Sequence, residues 1–317
     1  MSFQPATSNR TALRLVRETV FKTTPATPAF KNLRYTGESL AYAIRNVTSS
    51  EIRPDRNTAD LIQVGADVSG DLNFELSFAS FDDLIESALA STWGAVVSGV
   101  SSIKNGTALH SYTLQKHFQD LAVPIYQNFR GVRIGGMSLD LKTGQILTGK
   151  FSVMGCSADN VTTQIAGATF LNPGLGMEPM NAVTNLINIE KDGVAMATKI
   201  RSMTLELTNN LRGQEAIGTL GYVGIALGRL EITGSIELYF ENATEYATFL
   251  ANQDFSLSFT AQDAAGNSYR VNLPRVKYEE GTIQSSQLDQ DIMVNGKWRA
   301  IYDSTEGCMI EIVRTAV

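Results

Sequence analysis

Residues able to do chemistry are few and scattered along this sequence. Histidine occurs only at His110 and His117. A histidine base needs a positioned partner, and neither stands in a motif that supplies one. Both read as surface or strand residues. The chain has no HExxH, no GxSxG and no GxxxxGK[ST], the usual signatures of zinc, nucleophilic serine and phosphate chemistry. "GYVGIALG" offers Gly221, Gly224 and Gly228, but not GxGxxG spacing between a strand and a helix. It reads as turns between strands. Asp82 and Asp83 are adjacent, and neighbours on a helix point in different directions, so they do not converge on a substrate. Cys156 and Cys308 lie far apart without metal-ligand spacing. No disulfide framework is expected, and a reducing cytoplasm suits the pair. The expectation is no catalytic, cofactor-binding or metal site, and so no enzyme.

The elements that would have to position any site are β-strands in a well-packed chain. Of 317 residues, 43% are hydrophobic and 18% charged, which suits a large buried core and not a disordered chain. The net charge of −6 is spread over both signs with no basic tail. Tight binding to a nucleic-acid backbone is therefore not expected, and a mildly acidic surface repels DNA. The N-terminus lacks a sustained apolar stretch of signal-peptide type. No apolar run is long enough for a membrane helix.

Residues 1–32, rich in Thr, Pro and Ala, hold Pro25 and Pro28 and read as an extended arm. Period-two alternation dominates from Leu33 onward. "DVSGDLNFELSF" places Val68, Leu72, Phe74, Leu76 and Phe78 on one strand face, with Gly70 marking a bulge. "SFDDLIESALAS" changes to helical spacing at Phe81, Leu84, Ile85 and Leu89. Ser80 is the expected N-cap, and Asp82 and Asp83 suit the helix dipole. Strand patterns resume in "AVVSGVSSI", "HSYTLQKHF", "NFRGVRIGGMSLDLK" and "QILTGKFSVMGCS", separated by Gly and Asn-Gly turns such as Asn105-Gly106. The Gly-, Pro- and Asn-rich stretch within 157–198 reads as a linker plus an arm.

The second part of the chain replays the first. "DVSGDLNFELSF" then "SFDDLIESAL" resembles "EITGSIELYF" then "NATEYATFLAN", matching Gly70 with Gly234. "HSYTLQ" resembles "NSYRVN". "ILTGKFSV" resembles "IMVNGKWRA", aligning Gly149, Lys150 and Phe151 with Gly296, Lys297 and Trp298. The expected fold is mainly β: tandem duplicated sandwich or half-barrel units over 33–156 and 199–317, each with one flanking short helix. Asp140, Glu206 and Glu237 mark the wet face of alternating strands, a face that in a ring would line a channel.

"SSEIRPDRNTAD" is a long charged excursion before a strand. Glu51, Arg53, Asp55, Arg56 and Asp60 read as contacts between subunits, since mixed charges and Arg forks set register and partner choice more than affinity. This loop within "RYTGESLAY…VTSSEIRPDRNTADLIQVGADVSGDLNFELSFASFDDLIESAL", with "RETVFKTTPATPAFKNLRYTGESL" before it, resembles the tail tube, or major tail, proteins of long-tailed bacteriophages. The resemblance is strongest over 10–95 and leans on repeat order beyond that. It implies β-sandwiches with a flanking helix, assembled as rings stacked into a hollow tube that carries genome DNA. It also implies tape-measure, tail-tip and terminator proteins as partners, and the virion tail as location, after synthesis in the host bacterial cytoplasm. In many members of that family each ring has six subunits. A duplicated chain would need three, giving trimeric rings of pseudo-sixfold symmetry, with the hexamer as the alternative. The arm 1–32, the loop 46–66 and the linker 157–198 are the expected connectors between rings. A β-rich binding or adhesin module of a phage or bacterial surface is the alternative function, but Trp93 and Trp298 are isolated and other aromatics sit at core periodicity. A hydrolase would need an acid pair or triad that this sequence does not assemble.

Overall fold

A computed structural model describes residues 5–284 and 288–317. The strands before the first helix are β1 (Thr11–Arg17), β2 (Ala29–Asn32), β3 (Tyr35–Glu38), β4 (Ala41–Thr48) and β5 (Leu61–Glu75). Helix α1 (Asp82–Ala88) precedes β6 (Val100–Lys104), β7 (Tyr112–Phe118), β8 (Ile125–Lys142), β9 (Thr148–Gly155), β10 (Ser157–Val161) and β11 (Thr169–Leu171). The second half holds β12 (Leu186–Lys191), β13 (Val194–Ala195), β14 (Ile200–Thr208), β15 (Arg212–Gln214), β16 (Gly224–Ala226) and β17 (Glu231–Tyr239). Helix α2 (Thr244–Leu250) leads to β18 (Phe255–Gln262), β19 (Ser268–Gln284), β20 (Met293–Ala300) and β21 (Glu311–Thr315). The fold is mainly β, as expected.

One antiparallel ladder runs through both halves in the order β4, β5, β9, β8, β14, β17, β20, β19. Alternation makes it one-sided: Leu72, Phe74, Phe151, Met137, Leu139, Leu205, Ile236 and Trp298 are buried on the face toward the helices. The long strands β8 and β19 leave this ladder and continue into a second layer. There β7 and β10 flank the first part of β8, while β18 and β21 flank the first part of β19.

The strand order is the same in the two halves, β5–β9–β8–β7 and β17–β20–β19–β18. Pairing position therefore sets β18, not β19, in the place of β7, so the match of "HSYTLQ" to "NSYRVN" joins strands that are not equivalent. Phe74 lies opposite Gly149, whereas Ile236 lies opposite Gly296. Aligning Gly70 with Gly234 instead sets Phe74 beside Leu238, two residues further on. An even offset keeps every side chain on its own face.

The expected domain boundaries do not separate cores. A single buried cluster contains Phe74 and Phe151 of the first half together with Phe259, Val271 and Ile312 of the second. Strand β8 pairs with β14 and β6 pairs with β21 across the division. Residues 11–17 and 29–32 are strands joined by a turn, and they are no free arm: β1 pairs along β7, and Leu13, Leu15 and Phe30 are buried. The segment 157–198 is likewise woven in, with β10 on β8, β11 parallel to β2 and β12 on β18.

Three local expectations change. Phe81, not Ser80, is the N-cap of α1; it makes no capping bond, and Ser80 Oγ meets Ser77 Oγ at 2.7 Å instead. Gly70 makes no bulge against β9. It has φ of 148°, and a Cβ there would lie 2.6 Å from the Ser39 carbonyl oxygen, so glycine admits the backbone crossing between β3 and β4. Asn105-Gly106 closes no hairpin, since β6 pairs with β21 and β7 with β1 and β8; Asn105 Oδ1 accepts from Met309 N at 2.8 Å.

Candidate assembly surfaces

The ladder's other face is polar. Outward positions carry Asp71 and Glu75 on β5, Asp140 and Lys142 on β8, Lys150 on β9, and Glu206 on β14. They continue with Glu231 and Glu237 on β17 and Lys297 and Arg299 on β20, so acids outnumber bases. Strand pairing sets Asp140 directly opposite Thr204, and Glu206 opposite Ser138. Glu237 accepts from Ser202 Oγ at 3.2 Å and pairs with Arg201 at 3.4 Å. Lys150 lies 3.6 Å from Asp71, and Lys297 lies 2.7 Å from Glu280. Such exposed pairs contribute little stability. Asp140 and Glu206 have no side-chain partner among the described residues and leave the centre of the face acidic. The three acids picked out by alternation thus share one solvent-facing surface.

The charged excursion caps a long hairpin. Strand β4 pairs with β5 from Ala41 opposite Ser69 to Thr48 opposite Leu61, and Ser49 N donates to Asp60 O at 2.9 Å. At the tip, Arg53 and Asp55 form a two-pronged pair, Nε to Oδ1 at 3.0 Å and Nη2 to Oδ2 at 2.7 Å. The Arg53 guanidinium, helped by the Asn57 N–H, holds the Asp55 carboxyl well below the usual carboxylate range. Arg56 takes a left-handed backbone with φ of 61°. The Asp60 carboxylate accepts from Leu61 N at 2.7 Å, and Glu51 N donates to Ser49 Oγ. Of the five expected contact residues, only Arg53 and Asp55 are brought together. Glu51, Arg56 and Asp60 remain exposed around them.

Charge alone understates this hairpin. Ile44, Val47, Leu61, Ile62 and Val64 are each more than half exposed, and Ile52 at the tip is 96% exposed. The signal was in the sequence: in "LIQVGADV", Leu61, Ile62 and Val64 put apolar side chains on both faces of the strand, where a half-buried strand has polar residues on one. Apolar surface this extensive on a projecting ribbon marks an interaction surface.

The groups considered for chemistry sit in structural settings. His110 contacts Arg17 and lies 2.7 Å from Ser91 O, while His117 stacks on Tyr126 with ring centroids 4.3 Å apart. Both cysteines are free and buried; burial pushes the Cys156 thiol up to about 11 and raises Cys308 as well, disfavouring the reactive thiolate. Asp82 and Asp83 diverge as adjacent helical residues must: Asp82 accepts from Tyr269 Oη at 2.5 Å, and Asp83 pairs with Lys31. The glycines of "GYVGIALG" lead into and out of β16, which forms a small separate sheet with β15. No helix among the described residues is long and apolar enough to cross a membrane.

A comparison with curated proteins finds no match. A family model described as phage tail tube protein matches residues 8–300. That span takes in the hairpin, both helices and the whole polar ladder, and it extends the likeness from the N-terminal third to almost the entire chain: this protein belongs to the phage tail tube protein family, structural components of the virion tail.

Proposed function

We propose that the chain assembles into rings that stack into a hollow tube, through which genome DNA passes on ejection. The observation that carries this reading is the one-sided ladder, a broad polar face whose reverse, over β5, β9, β8, β14, β17 and β20, packs into the core. Curved around an axis, that face lines a channel. Its unpaired Asp140 and Glu206 repel phosphate, so DNA slides without being held. The apolar hairpin β4–β5 grips the adjacent ring, with Glu51, Arg53, Asp55, Arg56 and Asp60 setting register at its tip. Residues 5–10, which precede β1 and lie outside the sheets, share this role.

The repeated strand order supports three chains per ring, with pseudo-sixfold symmetry, over six. Tape-measure, tail-tip and terminator proteins are the further partners, and synthesis takes place in the host cytoplasm. The chain works as a structural element and not as an enzyme. Negative-stain electron microscopy of the concentrated protein, with and without tail-tip complex, tests the reading. Hollow rings or tubes are expected, and only single particles under both conditions would overturn it.

A further inference from the structure

The small hairpin of β15 and β16 belongs to the second half but lies on the first. It is the connection from β14 to β17, and β14 lies on β17 as β4 lies on β5. It is therefore the counterpart of the charged tip, residues 49–60. One connection projects, and its counterpart folds back against the root of the projection. Its anchors are specific. The Arg133 guanidinium on β8 donates to Ile225 O, and Ile225 is buried. Lys22 Nζ donates to Tyr222 O at 2.8 Å. Gly221 has φ of 80°, and a Cβ there would lie 2.5 Å from the Cys156 carbonyl oxygen and 3.0 Å from that of Ala66 on β5. Glycine thus lets the hairpin's backbone touch the strand that it crosses. Glu215 pairs with Arg45 on β4, and the Arg45 guanidinium lies 6.0 Å from the centre of the Tyr222 ring.

These contacts converge on an irregularity. Arg45 lies opposite Gly65, but the next pair is Asn46 with Gln63, so Val64 is an extra residue. A bulge of this kind bends a strand and sharpens its twist. The Arg45 side chain crosses over Gly65, where a Cβ would lie 2.6 Å from Nη2, and its Nε lies 3.9 Å from Asp67 on β5. On one side of the bulge, β5 is held by β9 from Val68 onward. On the other side, residues 46–48 and 61–63 pair only with each other among the described residues. With the tip, that free part extends on the order of 20 Å, so a swing of about 20° at the bulge would move the tip by about 7 Å, more than the spacing of two strands.

We infer that β15–β16 is a brace by which the second half locks the bulge at Arg45 and Val64, fixing the direction in which the β4–β5 ribbon leaves the body. Glu215, Gly221 and Tyr222 are positioning residues: they act on the ribbon's contact through Arg45 and Ala66. The inference rests on the tube reading for what the ribbon meets, while the brace itself is a property of the single subunit. An unbraced ribbon would be ordered only on docking, at an entropic cost that weakens each contact between rings. The two copies of one connection thus hold different tasks, one to reach and one to aim.

Spin labels at Thr48→Cys on the ribbon and Asn160→Cys on β10 read that direction, since both positions are exposed and the native cysteines are buried. Double electron–electron resonance of the subunit is expected to give one narrow distance distribution. Glu215→Ala with Tyr222→Ala should broaden it at least twofold, while Tyr222→Phe, which keeps the ring, should leave it narrow. Gly221→Val, which pushes the hairpin away from Ala66, should broaden it by a separate route. Glu215→Ala alone breaks only an exposed pair, and should broaden the distribution with the thermal midpoint unchanged. In electron microscopy the broadened variants should form rings and at least tenfold fewer stacked tubes. A distribution that is broad in the unmodified chain, or equally narrow in all these variants, would overturn the brace whether or not tubes form. A narrow distribution that broadens as expected, with no ring or tube from the unmodified chain and tail-tip complex, would uphold the brace and overturn the tube reading alone.

Discussion

Helices α1 and α2 occupy the same place in the two halves, each seven residues long and each following the strand that heads its ladder. Their surroundings differ sharply. In α1, Leu84, Ile85, Glu86, Ser87 and Ala88 are buried; α2 buries none of its residues. The first helix lies between its own sheet and the β18, β19 and β21 layer, and Phe81, Ile85, Phe151, Tyr269 and Ile312 line one apolar gap there. The second lies on its own sheet and is reached from the side by β12. Phe249 packs over Gly281, where a Cβ would approach the ring to 2.8 Å, and Lys191 Nζ reaches Glu245 at 2.7 Å and Thr248 at 3.1 Å. Tyr278 Oη adds a bond to Glu245 at 3.1 Å. One helix is held by apolar burial between layers and the other by a polar clasp at the edge of a sheet. What covers a helix, more than its length or position, decides which force holds it.

The largest effect that could break this contrast is a truncation in the first layer. Phe81, with ring centroids 4.5 Å from Phe74 and 6.2 Å from Phe151, is 3% exposed. Phe81→Ala is expected to cost about 3–5 kcal/mol in urea unfolding of the subunit. Leu250→Ala on α2, 67% exposed, is expected to cost less than about 0.5 kcal/mol. Equal losses would erase the distinction. Next, Lys191→Met should cost about 3 kcal/mol, because it strands Glu245 in a site where the pair is 15% and 11% exposed. A neutral result would mean that the clasp does not hold α2.

Acid should act on the first half before the second, which has no histidine. Burial, and secondarily the nearby Arg14 charge, lower the His117 pKa. The unfolded chain therefore binds this proton more readily than the folded one. Stability from this site is complete above the unfolded value of about 6.5 and declines as pH falls below it. His117→Gln should flatten that decline, and hydrogen exchange should loosen β7 and β8 ahead of β18 and β19. The smallest effect on the subunit lies at the hairpin tip. Deleting residues 49–60, or making Asp55→Asn, should leave the thermal midpoint unchanged, and the deletion should prevent stacking. Normal-length tubes from the deletion would remove the tip from the assembly contact.

Much of the local structure was legible from alternation alone. Val68, Leu72, Phe74, Leu76 and Phe78 are buried together, and Phe81, Leu84 and Ile85 turn into a helix, because side-chain period is a property of a few neighbouring residues. Partners distant in sequence were not legible in the same way. The pairing of β1 with β7 hides residues 11–17 in a sheet, although their Thr- and Pro-rich flanks suggest a free arm. The equivalence of β7 with β18 depends on hydrogen-bond order, while "HSYTLQ" and "NSYRVN" resemble each other only in side chains. The polar face was legible through Asp140, Glu206 and Glu237. The hairpin was recognised by its charges, while its apolar ribbon went unread because exposure depends on what a strand does not touch.

The junction of β8 with β14 also has a mechanical meaning. Backbone hydrogen bonds in the ladder run across the strands, along the circumference of any wall the ladder forms, and internal pressure loads them in tension. Where the two strands belong to one polypeptide, the connection through residues 143–199 bridges the seam covalently, and local parting leaves both sides tethered for reannealing. A seam between separate chains has no such tether. In a tube of the kind proposed above, each chain would thus carry one tethered seam of its own, between β8 and β14.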